Sequence, residues 1–240
     1  MTRQDGRRSD ELRPLSFERG YTSHAEGSVL VSAGGTRVLC TVTVTPSVPH
    51  WRRESGAGWL TAEYAMLPSA VVGRKRREIG NRDGRSVEIQ RLIGRSLRAA
   101  VDLRGLPNHT LNIDCDVLQA DGGTRCASIC GAMVALHDAL HAMSERGRLT
   151  HWPLRHWVAA VSVGHVGEKL LLDLDYSEDS RADVDMNVIA TAGGELIEVQ
   201  GTAEGEPFPR PVHDGLLDLA LGGTDSIITA MHEAVGAVQA

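Results

Sequence analysis

The segment 121–125, Asp-Gly-Gly-Thr-Arg, has the residue types of a phosphate-binding turn. Apolar residues after it recur at helical spacing, so the turn opens a helix whose first N–H groups lack partners and carry partial positive charge. Gly122 and Gly123 allow a ligand to approach that backbone, and Arg125 adds a planar fork for two phosphate oxygens. Thr124 is the expected N-cap. Taken alone, however, the segment favours the simpler interpretation of a tight turn, a cap and a solvated arginine.

The chain contains an internal control for this motif, because residues 34–37 repeat the tetrapeptide Gly-Gly-Thr-Arg. That copy lies between two β-type runs over 29–31 and 38–44, which predicts a hairpin turn. Only the copy that opens a helix is therefore a candidate anion site.

A basic loop precedes a second helix that carries an arginine at its start. Residues 73–85 read GRKRREIGNRDGR, the densest positive charge in the chain, without apolar periodicity. A solvated loop is the ordinary explanation of such a run. The following helix is predicted to start near Ser86, which places Arg85 just before the cap, where side chain and helix terminus can meet one phosphate. The polar residues Glu88, Arg91, Arg95, Arg98 and Asp102 are expected to form intrahelical ion pairs.

Six acidic residues fall between Asp173 and Asp185, in a predicted antiparallel meander. Acidic turns at protein surfaces are common and usually have no catalytic role. If the strands bring Asp179 and Asp185 together, however, the only cation expected nearby is Arg181. Two carboxylates together with waters and substrate phosphate oxygens are a set of ligands that Mg²⁺ prefers.

Composition limits the classes of function. The chain has 240 residues, 42% of them hydrophobic, which suffices for a core, and a net charge of -6, so any nucleic-acid contact needs a local basic patch. The four cysteines form no C-x-x-C pair and are expected to be reduced thiols, and no signal peptide or transmembrane-length run is expected, which favours a cytoplasmic protein without a membrane partner. His137 and His141 lack a third ligand and are expected at a helix surface or interface.

Periodicity predicts the elements that would position these residues. Strands are expected over 29–45 as a hairpin, and over 59–67, 111–117, 157–163, 170–176, 184–188 and 196–200. Helices are expected from about 86, from 124, over 213–221 ending at Gly222 and Gly223, and from Thr224 as the cap of a last helix to 235. The pattern predicts a single α/β (α+β) domain over 1–240, with a polar arm before residue 20 and a loop over 46–58.

The chain resembles the ribonuclease PH family of bacteria. The matching segments run in order along nearly the whole chain: 24–31 (HAEGSVLV), 58–64 (GWLTAEY), 84–85 (GR), 88–95 (EIQRLIGR), 114–125 (DCDVLQADGGTR), 174–176 (LDY), 178–180 (EDS), 185–187 (DMN) and 202–205 (TAEG). The resemblance implies one ribosomal-S5-domain-2-like domain with mixed sheets and packed helices, and a ring-shaped homohexamer built as a trimer of dimers.

The resemblance also implies roles for individual residues. The phosphate site falls on Arg85, Gly123, Thr124 and Arg125; the catalytic residues that hold Mg²⁺ fall on Asp179 and Asp185; and RNA-binding residues fall on Arg74, Arg76 and Arg77. Ser69 stands where many members carry an arginine that contributes to RNA binding and ring contacts.

The function implied is phosphate-dependent 3′-to-5′ exoribonuclease activity that trims tRNA precursors, releases nucleoside diphosphates, and adds nucleotides in reverse. Inorganic phosphate is the co-substrate, and the implied setting is tRNA and rRNA processing in the cytoplasm. The alternative is a non-catalytic RNA-binding ring subunit of exosome type, and a third possibility is a protein that shares the fold without an RNA function. The presence of Arg85, Arg125, Asp179 and Asp185 together favours the enzyme.

Overall fold

A five-stranded mixed sheet forms the first half of the computed structural model, which describes residues 3–79 and 83–236. Its order is β1-β2-β3-β5-β4, with β4 parallel to β5 and the other neighbours antiparallel. The strands are β1 (Leu15–Arg19), β2 (Gly27–Ala33), β3 (Thr36–Thr45), β4 (Trp59–Met66) and β5 (Thr110–Gln119). Apolar residues on β3 and β5 alternate with polar ones, so that one face of this sheet is buried.

The second half contains a four-stranded antiparallel sheet in the order β7-β6-β8-β9. Its strands are β6 (Val158–Val166), β7 (Lys169–Leu172), β8 (Val184–Thr191) and β9 (Leu196–Ala203). On β8, Asp185 is only partly buried between the buried residues Val184 and Met186, and Asn187 repeats this pattern on the same face. This alternation confirms the predicted strand and places Asp185 on the polar face of the sheet.

Within these two described ranges, four α-helices complete the fold: α1 (Gly84–Ala100), α2 (Thr124–Glu145), α3 (Tyr176–Asp179) and α4 (Arg210–Val235). Helix α2 packs against strands of both sheets, and one hydrophobic core contains residues from both. By length and composition α2 could cross a membrane, but 78% of its most apolar window is buried inside the protein, as in the core helix of a globular protein. The mixed α/β fold class is confirmed, whereas the single domain over 1–240 stays a prediction.

The smaller predictions have different outcomes. The hairpin over 29–45 is confirmed, and all four cysteines are buried free thiols. His137 is buried and His141 is exposed, with their rings 4.7 Å apart. The polar arm before residue 20 contains β1, and the predicted loop over 46–58 contains a 3-10 helix, His50–Ser55. The part of the basic loop over 80–82 lies outside the described residues.

The predicted strand over 170–176 is wrong beyond Leu172. Asp173 has a left-handed backbone with φ 54°, and Asp175 then caps the short helix α3 in a capping box with Glu178. Asp173 and Asp175 therefore do not share a strand face. Asp175 and Glu178 start α3 after the chain has left the strand at Asp173.

The two predicted C-terminal helices are one continuous helix, α4. Gly223 lies inside it at a point where a Cβ atom would come within 2.5 Å of the Leu172 side chain. The glycine permits close packing against β7 and does not end the helix. Thr224 is not a cap, because its hydroxyl donates to the carbonyl oxygen of Leu221 at 2.9 Å within the helix.

Candidate active site

The turn between β5 and α2, residues 121–123, is called here the glycine turn. Gly122 and Gly123 have φ of 73° and 63°, in the left-handed region that glycine adopts readily. Gly123 is the N-cap residue, so the prediction that Thr124 is the cap is wrong; Thr124 is the first helical residue. Because Gly123 has no side chain, no side-chain oxygen of the cap covers the N–H groups at the start of α2. The Thr124 hydroxyl lies 3.0 Å from the Tyr64 hydroxyl on β4.

The hairpin turn that contains the repeated tetrapeptide, residues 34–37, is hydrogen-bonded to the glycine turn. The Thr36 hydroxyl donates to the carbonyl oxygen of Gly122 at 2.6 Å, and the N–H of Asp121 donates to the same hydroxyl at 2.9 Å. A Cβ atom at Gly122 would lie 2.6 Å from the carbonyl oxygen of Leu174. The glycine turn is therefore held by the hairpin on one side and touches the residues before α3 on the other.

Arg125 is fixed by residues from two other elements. Its Nη1 donates to Glu88 Oε1 on α1 at 3.1 Å and to Gln200 Oε1 on β9 at 2.8 Å. Gln200 in turn donates through Nε2 to Glu198 Oε1 at 2.9 Å. The sequence did not indicate these contacts, since Glu88 was expected to pair within α1. A guanidinium held in this way is oriented before a phosphate arrives, so less freedom is lost on binding.

The intrahelical ion pairs predicted for α1 are wrong in their partners. Arg95 pairs with Glu198 on β9, the Arg98 guanidinium lies 4.9 Å from the Trp59 ring centroid, and Asp102 pairs with Arg155 at 2.6 Å. Arg95 and Arg98 meet β9 and β4 because α1 packs beside both strands.

Arg85 lies in the first turn of α1, one residue after Gly84, and not before the cap as predicted. Asp83 is the N-cap, and its Oδ1 accepts the N–H of Arg85 at 3.3 Å. Because a carboxylate already satisfies this helix start, the exposed Arg85 side chain is the group available to a phosphate, and the helix terminus contributes less than expected.

The basic loop folds back onto the start of α1. Lys75 Nζ lies 3.0 Å from Glu78 Oε1 and 3.3 Å from Asp83 Oδ2, and Ser86 donates to Glu78 Oε1 at 2.8 Å. The predicted RNA-binding residues Arg74, Arg76 and Arg77 are exposed beside this network. The loop thus neutralises its lysine internally and presents its arginines to solvent.

Asp179 and Asp185 come together between α3 and β8. Asp185 pairs in register with Gly164 on β6 and with Thr202 on β9, and Asp179 ends α3. Burial, followed by the negative charge of Asp179, raises the pKa of Asp185 to about 6. Burial also raises the pKa of Asp179, while the positive charges of Arg85 and then Arg125 act to lower it. The structure therefore gathers the two predicted carboxylates and the two predicted arginines in one site.

Arg181 is not the nearby cation that the sequence suggested. Its Nε donates to the carbonyl oxygen of Ser177 at 2.6 Å, and its side chain is exposed. The cations that influence both carboxyls are Arg85 and Arg125, which belong to α1 and α2. Residues far away in the sequence thus supply the charges that balance the acidic pair.

The carboxylate pair fits a divalent cation with oxygen ligands. Asp185 Oδ1 is buried and has no hydrogen-bond partner among the described residues. A buried carboxylate oxygen without a donor is unfavourable, and a bound cation would relieve it. The described residues contain no cluster of three or more His, Cys, Asp or Glu that could hold a metal. Two carboxylates alone match Mg²⁺, which usually keeps several waters and adds phosphate oxygens, better than a zinc site.

We expect Asp185→Asn to stabilise the protein in EDTA at neutral pH. The pKa of Asp185 is about 6 in the folded chain against 3.8 for a solvated Asp, so the folded state binds the proton more tightly. Ionisation therefore costs folding free energy as pH rises from about 4 to about 6, and the full cost, on the order of 1–3 kcal/mol, remains above that range. Thermal unfolding should show a higher midpoint for the variant at pH 7.5 and a much smaller difference at pH 4. If the variant and the wild type had equal midpoints at both pH values, ionisation of Asp185 would not destabilise the folded protein, which would contradict the prediction.

The chemistry of the site follows from its charges. The glycine turn, Arg125 and Arg85 offer N–H groups and guanidinium forks to a phosphate group, and Asp179 and Asp185 offer oxygen ligands to a cation beside it. A site of this kind brings two phosphate groups together and neutralises their mutual repulsion, which is the requirement for phosphoryl transfer.

Comparisons by sequence find similar proteins over nearly the whole chain. The family model described as the 3′ exoribonuclease family, domain 1, matches residues 11–141, and its domain 2 matches residues 156–223. The chain is 58% identical over 238 residues to ribonuclease PH of Mycolicibacterium smegmatis, covering 98% of this chain and 92% of that protein. It is 56% identical over 237 residues to ribonuclease PH of Mycobacterium leprae, with the same coverage of 98% and 92%.

Two solved structures have the same fold. One is described as the Archaeoglobus fulgidus exosome with RNA bound to the active site; it has a TM-score of 0.79, 26% identity, and covers 95% of this chain and 92% of its own. The other, rice Rrp46, has a TM-score of 0.80 at 20% identity, covering 98% and 100%, and shows the fold alone. The likeness supports the predicted ribosomal-S5-domain-2-like fold.

Proposed function

The chain belongs to the 3′ exoribonuclease family, and we propose that its site removes the 3′-terminal nucleotide of RNA by phosphorolysis. The observation that carries the proposal is the convergence of Arg85 and Arg125 on the pair Asp179 and Asp185. Cationic forks and hard carboxylate oxygens in one site suit two phosphate groups and a divalent cation.

The reaction assigns separate tasks to the two halves of the site. Gly123, Thr124, Arg125 and Arg85 bind inorganic phosphate and aim one of its oxygens at the phosphorus of the last phosphodiester bond. A new P–O bond forms as the bond to the penultimate 3′ oxygen breaks. The 3′ oxygen takes up the proton that the attacking hydrogen phosphate loses. The products are a nucleoside diphosphate and an RNA one nucleotide shorter, and the reverse reaction adds a nucleotide.

Asp179 and Asp185 would hold Mg²⁺, which when bound neutralises charge on the reacting phosphates. The protein's own contribution is to keep these carboxylates ionised and correctly placed. Burial opposes ionisation of both groups, and Arg85 and Arg125 counteract it. The same arginines thus bind phosphate and support the cation site, which couples the two halves electrostatically.

A non-catalytic RNA-binding ring subunit of exosome type is the alternative. Such a subunit has no need for an arginine pre-oriented by Glu88 and Gln200, or for a buried carboxylate oxygen without a partner. Both features cost stability or freedom and are expected where catalysis requires them. The enzyme is therefore favoured over the binding subunit.

The proposed substrate is RNA, chiefly tRNA precursors, with rRNA as a further substrate, in the cytoplasm. The proposed assembly is a homohexamer, a trimer of dimers, in which Arg74, Arg76 and Arg77 face the RNA path. What supports this is the clustering of three exposed arginines within four residues of one loop, in a chain of net charge -6. A fully active monomer in light scattering would contradict the ring.

The test of the function is incubation of the protein with a tRNA that carries a short 3′ extension, with Mg²⁺ and with or without inorganic phosphate. We expect nucleoside diphosphates to appear only when phosphate is present, because phosphate is the nucleophile. Nucleoside monophosphates released without phosphate would indicate a hydrolytic nuclease. Binding without release of any nucleotide would indicate the non-catalytic subunit.

Replacing Arg74, Arg76 and Arg77 together by alanine should weaken RNA binding and flatten its salt dependence. Each lost contact with a phosphate of single-stranded RNA lowers the slope of log affinity against log salt by roughly 0.7, so three contacts give about 2. The matched control replaces Arg53, Arg104 and Arg148, which are also exposed but lie elsewhere. Equal slopes for the two triple variants in a filter-binding titration would remove the loop from the RNA path.

A further inference from the structure

Arg13 binds the acidic turn, residues 173–179, at its first residue. Its Nη2 and Nε donate to the two carboxylate oxygens of Asp173 at 2.7 Å and 3.0 Å, and its backbone N–H donates to Asp173 Oδ2 at 2.8 Å. Asp173 holds the left-handed backbone, φ 54°, at which β7 ends and the path to Asp179 begins. Three hydrogen bonds from one residue keep this unfavourable conformation in place.

The same guanidinium reaches the glycine turn. Arg13 Nη1 donates to the carbonyl oxygen of Asp121 at 2.5 Å. A Cβ atom at Gly123 would lie 2.9 Å from Arg13 Nη2, so glycine at this position also admits the arginine. Arg13 is 5% exposed, and its donors are therefore directed at protein acceptors.

The glycine turn and the acidic turn are also in direct contact with each other. The N–H of Tyr176 lies 3.4 Å from Asp121 Oδ1, and a Cβ atom at Gly122 would come within 2.8 Å of the Tyr176 nitrogen. Arg13 spans this junction from the buried side. One planar group thus connects the turn that presents N–H groups to phosphate with the turn that carries Asp179.

Arg3 offers a natural contrast in the same N-terminal segment. Its Nε and Nη2 donate to the two carboxylate oxygens of Glu178 at 2.8 Å and 2.7 Å, and its Nη2 donates to the carbonyl oxygen of Asp173 at 3.0 Å. Arg3 is 8% exposed and contacts the acidic turn, with no recorded bond to the glycine turn in the described chain. Arg3 therefore stabilises the acidic turn, whereas Arg13 is hydrogen-bonded to both the acidic turn and the glycine turn.

We propose that Arg13 is a positioning residue that sets the separation between the phosphate-binding half and the carboxylate half of the site; this inference rests on the proposed function. A lysine has the charge of arginine but not its fork, so it cannot satisfy both oxygens of Asp173 and the carbonyl of Asp121 in one geometry. A displacement of about 1 Å between reacting groups can cost roughly 100-fold in rate.

The test compares Arg13→Lys with Arg3→Lys and with the control Arg8→Lys, whose side chain is exposed. We expect Arg13→Lys to lower kcat about 10- to 100-fold and to raise both the KM for phosphate and the Mg²⁺ concentration for half-maximal rate. Arg3→Lys should raise the Mg²⁺ requirement and leave the phosphate KM within about twofold, because its contacts lie in the acidic turn. Arg8→Lys should match the wild type.

Hydrogen exchange of the ligand-free proteins is the second readout. Arg13→Lys should speed exchange in peptides that cover 121–126 and 173–180 together, and Arg3→Lys only in the latter. Normal kinetics for Arg13→Lys, or a change confined to one turn, would overturn the inference. If Arg13→Lys does not fold, Asp173→Asn replaces it, because Asn tolerates the left-handed backbone. Unchanged kinetics and unchanged exchange in that variant would likewise overturn the positioning role of Arg13.

Different results would contradict the proposed function and the proposed positioning role of Arg13. Wild-type protein that releases no nucleoside diphosphate would contradict the function. The exchange comparison needs no substrate, and it still decides whether Arg13 couples the two turns.

Discussion

Asp185→Asn should abolish phosphorolysis and nucleotide addition alike, with a rate loss on the order of 100-fold or more in each direction. Both directions share one transition state, in which two phosphate groups approach each other, and the carboxylate is proposed to hold the cation that relieves their repulsion. Asp185 Oδ1 is buried without a partner among the described residues, so no other task in the fold accounts for its charge. RNA binding and the oligomeric state should survive.

The measurement is the rate of nucleoside diphosphate release and of nucleotide addition over a range of Mg²⁺ concentrations. Asp183→Asn is the matched control, since Asp183 is an exposed acid two residues away whose Oδ2 accepts the N–H of Gly167 at 3.2 Å. A soluble Asp185→Asn variant with near-normal turnover and an unchanged Mg²⁺ requirement would end the assignment of a metal site.

Arg125→Ala should raise the KM for inorganic phosphate about tenfold or more and leave RNA binding largely intact. A charge-assisted contact to phosphate is worth roughly 1.5–3 kcal/mol. The loss should exceed that of Arg85→Ala, because Arg125 is held in place by Glu88 and Gln200 whereas Arg85 is exposed and must be ordered on binding.

Initial rates over a phosphate titration at saturating RNA measure this effect. Arg91→Ala removes an equal charge from an exposed position on α1 and serves as the control. If both Arg125→Ala and Arg85→Ala keep the phosphate dependence of the wild type, neither residue belongs to the phosphate site.

Local patterns predicted the elements that carry the site. The alternation of apolar residues over 111–117 and 184–188 corresponds to β5 and β8, and the helical spacing after residue 124 corresponds to α2. These patterns are reliable because one side of a strand or helix faces the core along its whole length and the other faces solvent. Apolar residues therefore recur with the period of the element, which can be seen in a short stretch of sequence.

The predictions were wrong where a residue far away in the sequence determines the conformation of the backbone. The strand over 170–176 ends early because Arg13, 160 positions away, holds the Asp173 carboxylate. The break expected at Gly222 and Gly223 does not occur, because the Leu172 side chain packs against Gly223. Local propensity contains no information on either contact, and tertiary packing outweighs it.

The sequence by itself determined the family, the glycine turn and the residue types proposed to bind phosphate and a cation, since these depend on spacing along a short stretch of chain. Only the tertiary structure decided which side chains meet: Arg125 pairs with Glu88 and donates to the Gln200 amide, and Arg13 pairs with Asp173. Ion pairs depend on distance in space, and side chains from different elements become neighbours only after the sheets and helices have packed. The raised pKa of Asp185 has the same origin. Its strand, β8, lies between β6 and β9, and burial there removes water from a carboxyl that would otherwise be solvated.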